Sequence, residues 1–188
     1  MKKAIIIFSI VMVAPFVINA QGVGIGIKGG ANFANQDIKD VNSESITSYH
    51  IGAYINLNLS EKFGITPEFL FSAQGSSTDI GKVNTDYLSI PVMLRWKPIS
   101  LISLQAGPQF GILTKAKIEN VGDVKDQLQS NDFGIAVGAG VHLPLGINGG
   151  VRYIWGFTDI AEGSSLDLGE AKNRNFQIYV GWTIFGAK

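Results

Sequence analysis

Apolar and polar residues alternate along eight stretches of this chain, at residues 23–33, 49–59, 63–75, 87–97, 101–113, 132–143, 147–157 and 175–185. A period of two predicts β-strands with one apolar face. Glycines and amides fill most of the polar positions, as in the run from Val23 to Lys28. Because so many glycines indicate the crowded inside of a narrow barrel, we expect the apolar face to point outward into lipid.

The connections between the predicted strands alternate in length. Residues 60–62, 98–100 and 144–146 are short connections, whereas residues 34–48, 76–86, 114–131 and 158–174 are long and polar. Short turns at one end and long loops at the other are typical of outer-membrane barrels, in which the short turns face the periplasm. The sequence therefore predicts an all-β fold, an eight-stranded antiparallel up-and-down transmembrane β-barrel.

The predicted lipid-facing row carries no charged side chain on any of the eight strands. A basic residue at mid-depth on that face would destabilise the barrel by about 2–4 kcal/mol, so an uncharged row is what lipid contact requires. Aromatic residues lie near the strand ends, where they are expected to mark the two membrane interfaces. We assign Phe63, Trp96, Trp182 and Phe185 to the periplasmic interface, and Tyr49, Phe157, Phe33, Phe71, Phe133 and Phe176 to the outer one.

Three prolines lie inside the predicted strands, at Pro67, Pro91 and Pro108. Proline has no backbone N–H to donate, and a closed barrel has no free edge on which a missing donor is harmless. We therefore expect β-bulges at these positions. A bulge changes the inward and outward assignment of the residues that follow it.

The N-terminus has the three parts of a secretory signal peptide: Lys2 and Lys3, an uncharged apolar run to Ile18, and a small residue at Ala20. We expect residues 1–20 to be a cleaved signal peptide and residues 21–188 to be the outer-membrane β-barrel domain. The alternative is an uncleaved membrane anchor, although the apolar run is shorter than a spanning helix requires.

Composition excludes several functions. Lysine and arginine total 15, as do aspartate and glutamate, so no basic surface for nucleic acid is expected. The chain has no cysteine, and only 16% of its residues are charged, which suits a protein that shows much of its surface to lipid. Neither a cofactor motif nor the spacing of a metal site stands out, so we expect no cofactor and no metal.

Four charged residues are predicted to point into the lumen: Lys28, Glu68, Arg95 and Arg152. The lumen of an eight-stranded barrel is barely wider than its side chains, and buried charges there have to pair. We therefore predict a structural charge network centred on Glu68. The alternative use of the same residues is a gated path for protons or ions through a small pore.

Two further alternatives remain open. His50 is predicted to face inward near the outer rim, close to Ser48, Ser89 and Asp86, which would suit a rim-active hydrolase. No diagnostic spacing of serine, histidine and aspartate supports that function, so we expect no catalytic residues. The other alternative is a soluble lipocalin-like barrel, whose apolar face would point inward to a ligand.

Several segments together resemble the outer-membrane β-barrel family of Bacteroidetes called PorT-like, over essentially the whole mature chain. The segments that carry the resemblance are residues 26–32, 67–72, 87–94, 105–108, 132–134, 152–153 and 173–177. The resemblance implies an eight-stranded barrel in the outer membrane. It also implies a possible link to protein secretion, since the founding member is tied to assembling a secretion apparatus, whereas most relatives have no defined activity.

These observations lead us to expect a structural or interaction role in the envelope. The expected partners are outer-membrane lipids and lipopolysaccharide, whose phosphates would lie near Lys115, Lys117, Lys172 and Arg174. The barrel-insertion machinery is expected to recognise Phe185, although three residues follow it. Envelope proteins are expected to contact the long loops, and no nucleic acid is expected to bind.

Overall fold

The computed structural model describes residues 22–38, 43–78, 81–119, 122–125, 128–159 and 171–186. The predicted signal peptide at residues 1–20 lies outside the described residues. Within them, antiparallel strands dominate, and no helix has the length and apolar character needed to cross a membrane.

The described residues form nine strands: β1 (Val23–Ile38), β2 (Ser43–Asn58), β3 (Phe63–Thr78), β4 (Gly81–Ile99), β5 (Ile102–Ile118), β6 (Gly122–Asp123), β7 (Asn131–His142), β8 (Ile147–Gly156) and β9 (Ala171–Gly186). All except β6 form the wall of a barrel, in which each strand pairs antiparallel with its neighbours in sequence and β9 pairs with β1. β6 pairs only with the end of β5. The predicted fold of eight barrel strands is confirmed.

The strands are tilted relative to the barrel axis. Starting from Gly30 on β1, the paired positions through β2, β3 and β4 lead to Leu113 on β5. The same path in the other direction, through β9, β8 and β7, leads to Ser103, ten residues away from Leu113 on the same strand. A closed sheet requires such a stagger, which tilts the strands and sets the lumen width.

The prediction of bulges at Pro67, Pro91 and Pro108 is wrong. The register is constant on both sides of each proline, and only a few pairs are missing from the adjoining ladders. Each residue of a central strand directs its N–H toward one neighbour, so a proline removes a single hydrogen bond without adding a residue. The inward and outward assignments therefore hold beyond each proline.

Six of the strands are longer than a bilayer requires. β1, β2, β3 and β9 have 16 residues each, β4 has 19 and β5 has 17, whereas about 9–11 residues span a membrane. The surplus lies on the side of the long connections, which faces the cell exterior. We call residues 34–38, 43–48, 76–78, 81–86, 114–118 and 171–174 the extracellular extension. The prediction that these residues are loops is wrong.

The alternation of apolar and polar residues reverses in the extracellular extension of β5. In the membrane part, Ile112 is exposed on the outer surface. Farther along, Lys115 and Lys117 are exposed, whereas Ala116 and Ile118 are buried inside. A wall with polar residues outside and apolar residues inside is suited to water, so this part of the barrel stands above the lipid.

A bulge on β5 produces the reversal. Asp86 pairs with Lys115 and Tyr87 pairs with Leu113, which leaves Thr114 as an extra residue on β5. An extra residue exchanges the inward and outward positions that follow it. The bulge therefore lies where the strand leaves the membrane.

Inward-facing apolar side chains fill the outer end of the barrel beside β4 and β5. The cluster contains Val83, Tyr87, Leu113, Ala116, Ile118 and Val124, with Leu128 packed against it. Val124 and Leu128 belong to the connection predicted to be long and polar, but they turn inward and cover this core. The described part of the connection after β5 thus packs on this core.

Candidate functional site

The charged side chains inside the barrel meet at Glu68 on β3. Lys28 Nζ on β1 donates a hydrogen bond to Glu68 Oε1 at 2.9 Å. Arg152 on β8 donates from Nη1 to Oε2 at 2.9 Å and from Nη2 to Oε1 at 2.8 Å. We call Lys28, Glu68 and Arg152 the lumen triad. Because Glu68 and Arg152 are each 1% exposed, the three charges depend on one another for compensation.

Tyr179 and Gln105 complete the surroundings of the lumen triad. The Nζ atom of Lys28 lies 3.8 Å from the centroid of the Tyr179 ring, a cation–π contact. Gln105 accepts a hydrogen bond from Arg152 at 3.2 Å and donates one to the Tyr179 hydroxyl at 3.1 Å. Sequence reasoning did not single out Tyr179. The feature that could have identified Tyr179 is its place among the inward-facing positions of β9, two residues before Gly181.

Arg95 points inward, as predicted, but it does not join the lumen triad. Its guanidinium donates to Asn56 Oδ1 at 2.7 Å and to Asn58 Oδ1. The structure thus brings together three of the four charges in the predicted network and places Arg95 with two neutral amides nearer the periplasm.

An apolar layer lies on the extracellular side of the lumen triad. Leu70 follows Glu68 on β3 by two residues, and Ile154 follows Arg152 on β8 by two, both toward the cell exterior. Met93 and Ala136 pack in contact with Ile154, and all four side chains are buried. The cavity beside the triad measures about 20 Å³, which is roughly room for one water molecule. Within the described residues, the lumen is closed at this level.

His50 belongs to a cluster of amides and hydroxyls above that layer. Its Nδ1 atom lies 2.8 Å from Asn32 Oδ1, which also accepts from Gln177 Nε2 at 2.9 Å. Asn32 Nδ2 in turn donates to Ser72 Oγ at 3.0 Å. Because Asn32 Oδ1 can only accept, the proton of the His50 ring is on Nδ1.

The residues considered for a rim-active hydrolase do not assemble around His50. Asp86 lies on the outer surface of β4, opposite Lys115. The Ser48 hydroxyl donates to the backbone oxygen of Ala73 at 2.6 Å. Ser89 is buried, and among the described residues its hydroxyl has no hydrogen-bond partner. These four residues therefore form no contact of nucleophile, base and acid.

The outward-facing aromatic residues form contacts at the end of the membrane part nearest the extracellular extension. Ring centroids lie 6.1 Å apart for Phe33 and Phe176, 6.1 Å for Tyr49 and Phe71, 5.0 Å for Phe110 and Phe133, and 6.2 Å for Phe133 and Phe157. We call these residues the outer aromatic belt, which has the position that interfacial aromatics occupy.

The periplasmic end carries a second set of exposed aromatic side chains. Phe63 and Trp96 are paired residues on β3 and β4, and Trp182 and Phe185 lie near the end of β9. Trp182 Nε1 donates to the Leu145 carbonyl oxygen at 3.1 Å, which attaches the turn between β7 and β8 to β9. All ten aromatic residues assigned to the two interfaces are exposed on the outer surface.

The faces of the wall have the polarity of a membrane barrel. Apolar residues at the alternate positions predicted to face lipid, such as Val23, Ile51, Leu94 and Val137, are exposed on the outer surface, and Val137 on β7 is 42% exposed. The lumen side carries Glu68, Arg152, amides and hydroxyls. A soluble ligand-binding barrel has the opposite arrangement, so the structure does not favour the lipocalin-like alternative.

Solved structures share this fold at low sequence identity. Neisserial surface protein A has a TM-score of 0.58 and 10% identity, covering 87% of this chain and 99% of its own. Ail, the attachment invasion locus protein of Yersinia pestis, has a TM-score of 0.51 and 16% identity, covering 85% and 97%. The outer membrane protein OprG from Pseudomonas aeruginosa has a TM-score of 0.50 and 12% identity, covering 87% and 96%.

No curated protein matches this chain. The sequence does match a family model. The model described as an outer membrane protein beta-barrel domain matches residues 19–162, which is well over half of the chain. The family, the barrel fold and the outward apolar face agree on the outer membrane as the location of the protein. The chain belongs to the outer membrane protein β-barrel domain family.

Proposed function

We propose that this protein has a non-catalytic, structural or interaction role in the outer membrane, and that the extracellular extension is its working surface. The observation that carries the proposal is the contrast between the filled membrane part of the barrel and the wall that continues above it. The lumen triad and the apolar layer leave little space inside the membrane part, whereas the wall continues as paired strands above the outer aromatic belt. Side chains held on paired strands lose little backbone entropy when a partner binds them.

The chemistry of the extension supports partners that carry negative charge. Lys82, Lys115 and Lys117 are exposed on the outer surfaces of β4 and β5, where they would lie beside the saccharide part of lipopolysaccharide. Phosphate groups attract lysine side chains strongly when the two charges are closer together than the distance over which salt screens electrostatic interactions. We infer that lipopolysaccharide is one partner of this surface and that envelope proteins are others.

A finer assignment is that the chain is a PorT-like barrel of Bacteroidetes with a role in secretion. The resemblance of the segments in β1, β3 and β4 supports this assignment. It predicts that a strain lacking the protein has a defect in protein export. Normal export of all cargo in that strain would contradict the secretion role and leave the interaction role standing.

A photo-crosslinking amino acid placed at Asn84 tests the proposed working surface in living cells. Asn84 is exposed on the extension of β4, and Leu94 is exposed on the membrane part of the same strand. We expect crosslinks to lipopolysaccharide or to a defined envelope protein from position 84. Position 94 serves as the matched control and should yield lipid adducts alone. Identical products from the two positions, or no product from position 84, would contradict the proposal.

A further inference from the structure

Positive charge exceeds negative charge in the periplasmic half of the lumen. The cations that point inward there are Lys28, Arg95, Lys97 and Arg152. Glu68 is the one carboxylate among the described inward-facing side chains of this half, and it already binds Lys28 and Arg152. Burial of a cation without compensating negative charge is unfavourable. Arg95 and Lys97 therefore form a site of excess positive charge, to which no ion pair is made within the described residues.

These two cations line a funnel that opens toward the periplasm. Its mouth has a volume of about 720 Å³ and is bounded by Lys97, His142 and the turn at Pro144–Gly146. A narrower cavity of about 20 Å³ follows, with Arg95, Lys97 and His142 in its wall. The cavity beside the lumen triad also contacts Arg95 and His142. The funnel thus leads from water to a buried guanidinium.

The donors of the funnel are only partly used. Arg95 is 5% exposed, and its two terminal nitrogens each donate to one asparagine oxygen. Each of these nitrogens carries two N–H groups, so one N–H on each has no partner among those two asparagines. The amino group of Lys97 has no ion pair within the described part of the chain. His142 Nε2 lies 2.9 Å from Ser103 Oγ, which fixes the ring in the wall.

We propose that the periplasmic funnel binds a small oxyanion, a phosphate or carboxylate group, between Arg95 and Lys97. A guanidinium and an ammonium group are the side chains that bind the oxygens of these anions by charge-assisted hydrogen bonds. The narrow part, at about 20 Å³, has room for about one water molecule or one oxygen atom, so the anion would lie in the wide mouth beside Lys97 with one oxygen directed toward Arg95. Glu61 also lines the mouth on the exposed turn, where its carboxylate offsets part of the positive charge of Lys97. The site is independent of the extracellular working surface.

Titration of the full mature barrel, refolded in zwitterionic micelles, tests this site. Inorganic phosphate and acetate are added separately at constant ionic strength, with binding measured by calorimetry and by the shift in unfolding temperature. We expect saturable binding of at least one anion. In Lys97→Gln the affinity should fall about tenfold, because one charge-assisted hydrogen bond is lost. Lys97 is at the funnel wall and partly exposed, so the variant is expected to fold.

The matched control is Lys62→Gln, which removes an exposed lysine of the turn beside the mouth whose side chain does not line the funnel. Its affinity should equal that of the unchanged protein. A preference for phosphate or for acetate identifies the ligand class, and displacement of phosphate by phosphatidylglycerol added to the micelles identifies a lipid headgroup as its source. Absence of saturable binding, or equal affinity in Lys97→Gln and the unchanged protein, would overturn the proposal.

Discussion

Replacing Glu68 with glutamine is expected to lower the free energy of unfolding by about 3–5 kcal/mol, the usual effect of removing one partner from a buried ion pair. The substitution keeps the size of the side chain but leaves Lys28 and Arg152 without a carboxylate in a lumen that has room for about one water molecule beside them. The measurement is equilibrium unfolding of the refolded protein by urea or guanidinium in lipid vesicles.

Two further variants make that result specific to the lumen triad. Glu61→Gln removes a carboxylate from an exposed turn and should change the unfolding free energy by less than about 0.5 kcal/mol. Combining Glu68→Gln with Arg152→Gln should destabilise the barrel by less than the sum of the two single changes, because the two side chains share one interaction. An effect of Glu68→Gln no larger than that of Glu61→Gln would show that the triad does not hold the barrel together.

Arginine at Val137 is expected to destabilise the barrel by about 2–4 kcal/mol, since a cation at mid-depth on the lipid face has no water around it. Val137 is exposed near the middle of β7 and pairs with Ala106 and Tyr153 on the neighbouring strands. The unfolding free energy of Val137→Arg in vesicles, compared with that of the unchanged protein, measures the effect.

A control on the same strand separates lipid contact from a general intolerance of arginine. Asn131 is exposed at the outer end of β7, where side chains reach water. Asn131→Arg should change the unfolding free energy by at most about 1 kcal/mol, as found near membrane interfaces. If both variants lose stability equally, the outward face of β7 does not contact the membrane core.

The strands of the membrane part could be predicted because lipid and lumen impose opposite demands on neighbouring residues. Val23, Ile25 and Ile27 are apolar on the lipid side, and Gly24 and Gly26 between them fit the narrow inside. The same two environments act on every barrel strand. Alternation therefore predicted the number of barrel strands, and the glycines on the polar positions with the uncharged apolar row predicted the direction of their faces.

The extracellular extension could not be predicted because its environment is different. With water outside, residues such as Asn84 and Lys117 are polar on the outer face, and the apolar residues lie inside. The bulge at Thr114 also changes the parity in the middle of β5. A pattern search for apolar residues facing lipid therefore ends at the outer aromatic belt, although strand pairing continues beyond it.

The composition of the lumen triad could be predicted only in part. The alternation of inward and outward positions places Lys28, Glu68, Arg95 and Arg152 on the inner face. It carries no information on how far along the barrel axis each side chain lies. The stagger of ten residues around the barrel brings Lys28, Glu68 and Arg152 together and leaves Arg95 closer to the periplasm. Strand register, which side-chain patterns specify weakly in glycine-rich strands, decides which charges meet.

The central claim is that the lumen is filled and that the protein acts through its outer surfaces. Conductance of planar lipid bilayers tests it most directly, with insertion of the same preparation verified by heat-dependent gel migration. The account predicts no discrete current steps from the inserted protein. Reproducible unitary steps that disappear in Glu68→Ala would show that ions pass along the lumen triad, and would contradict the account.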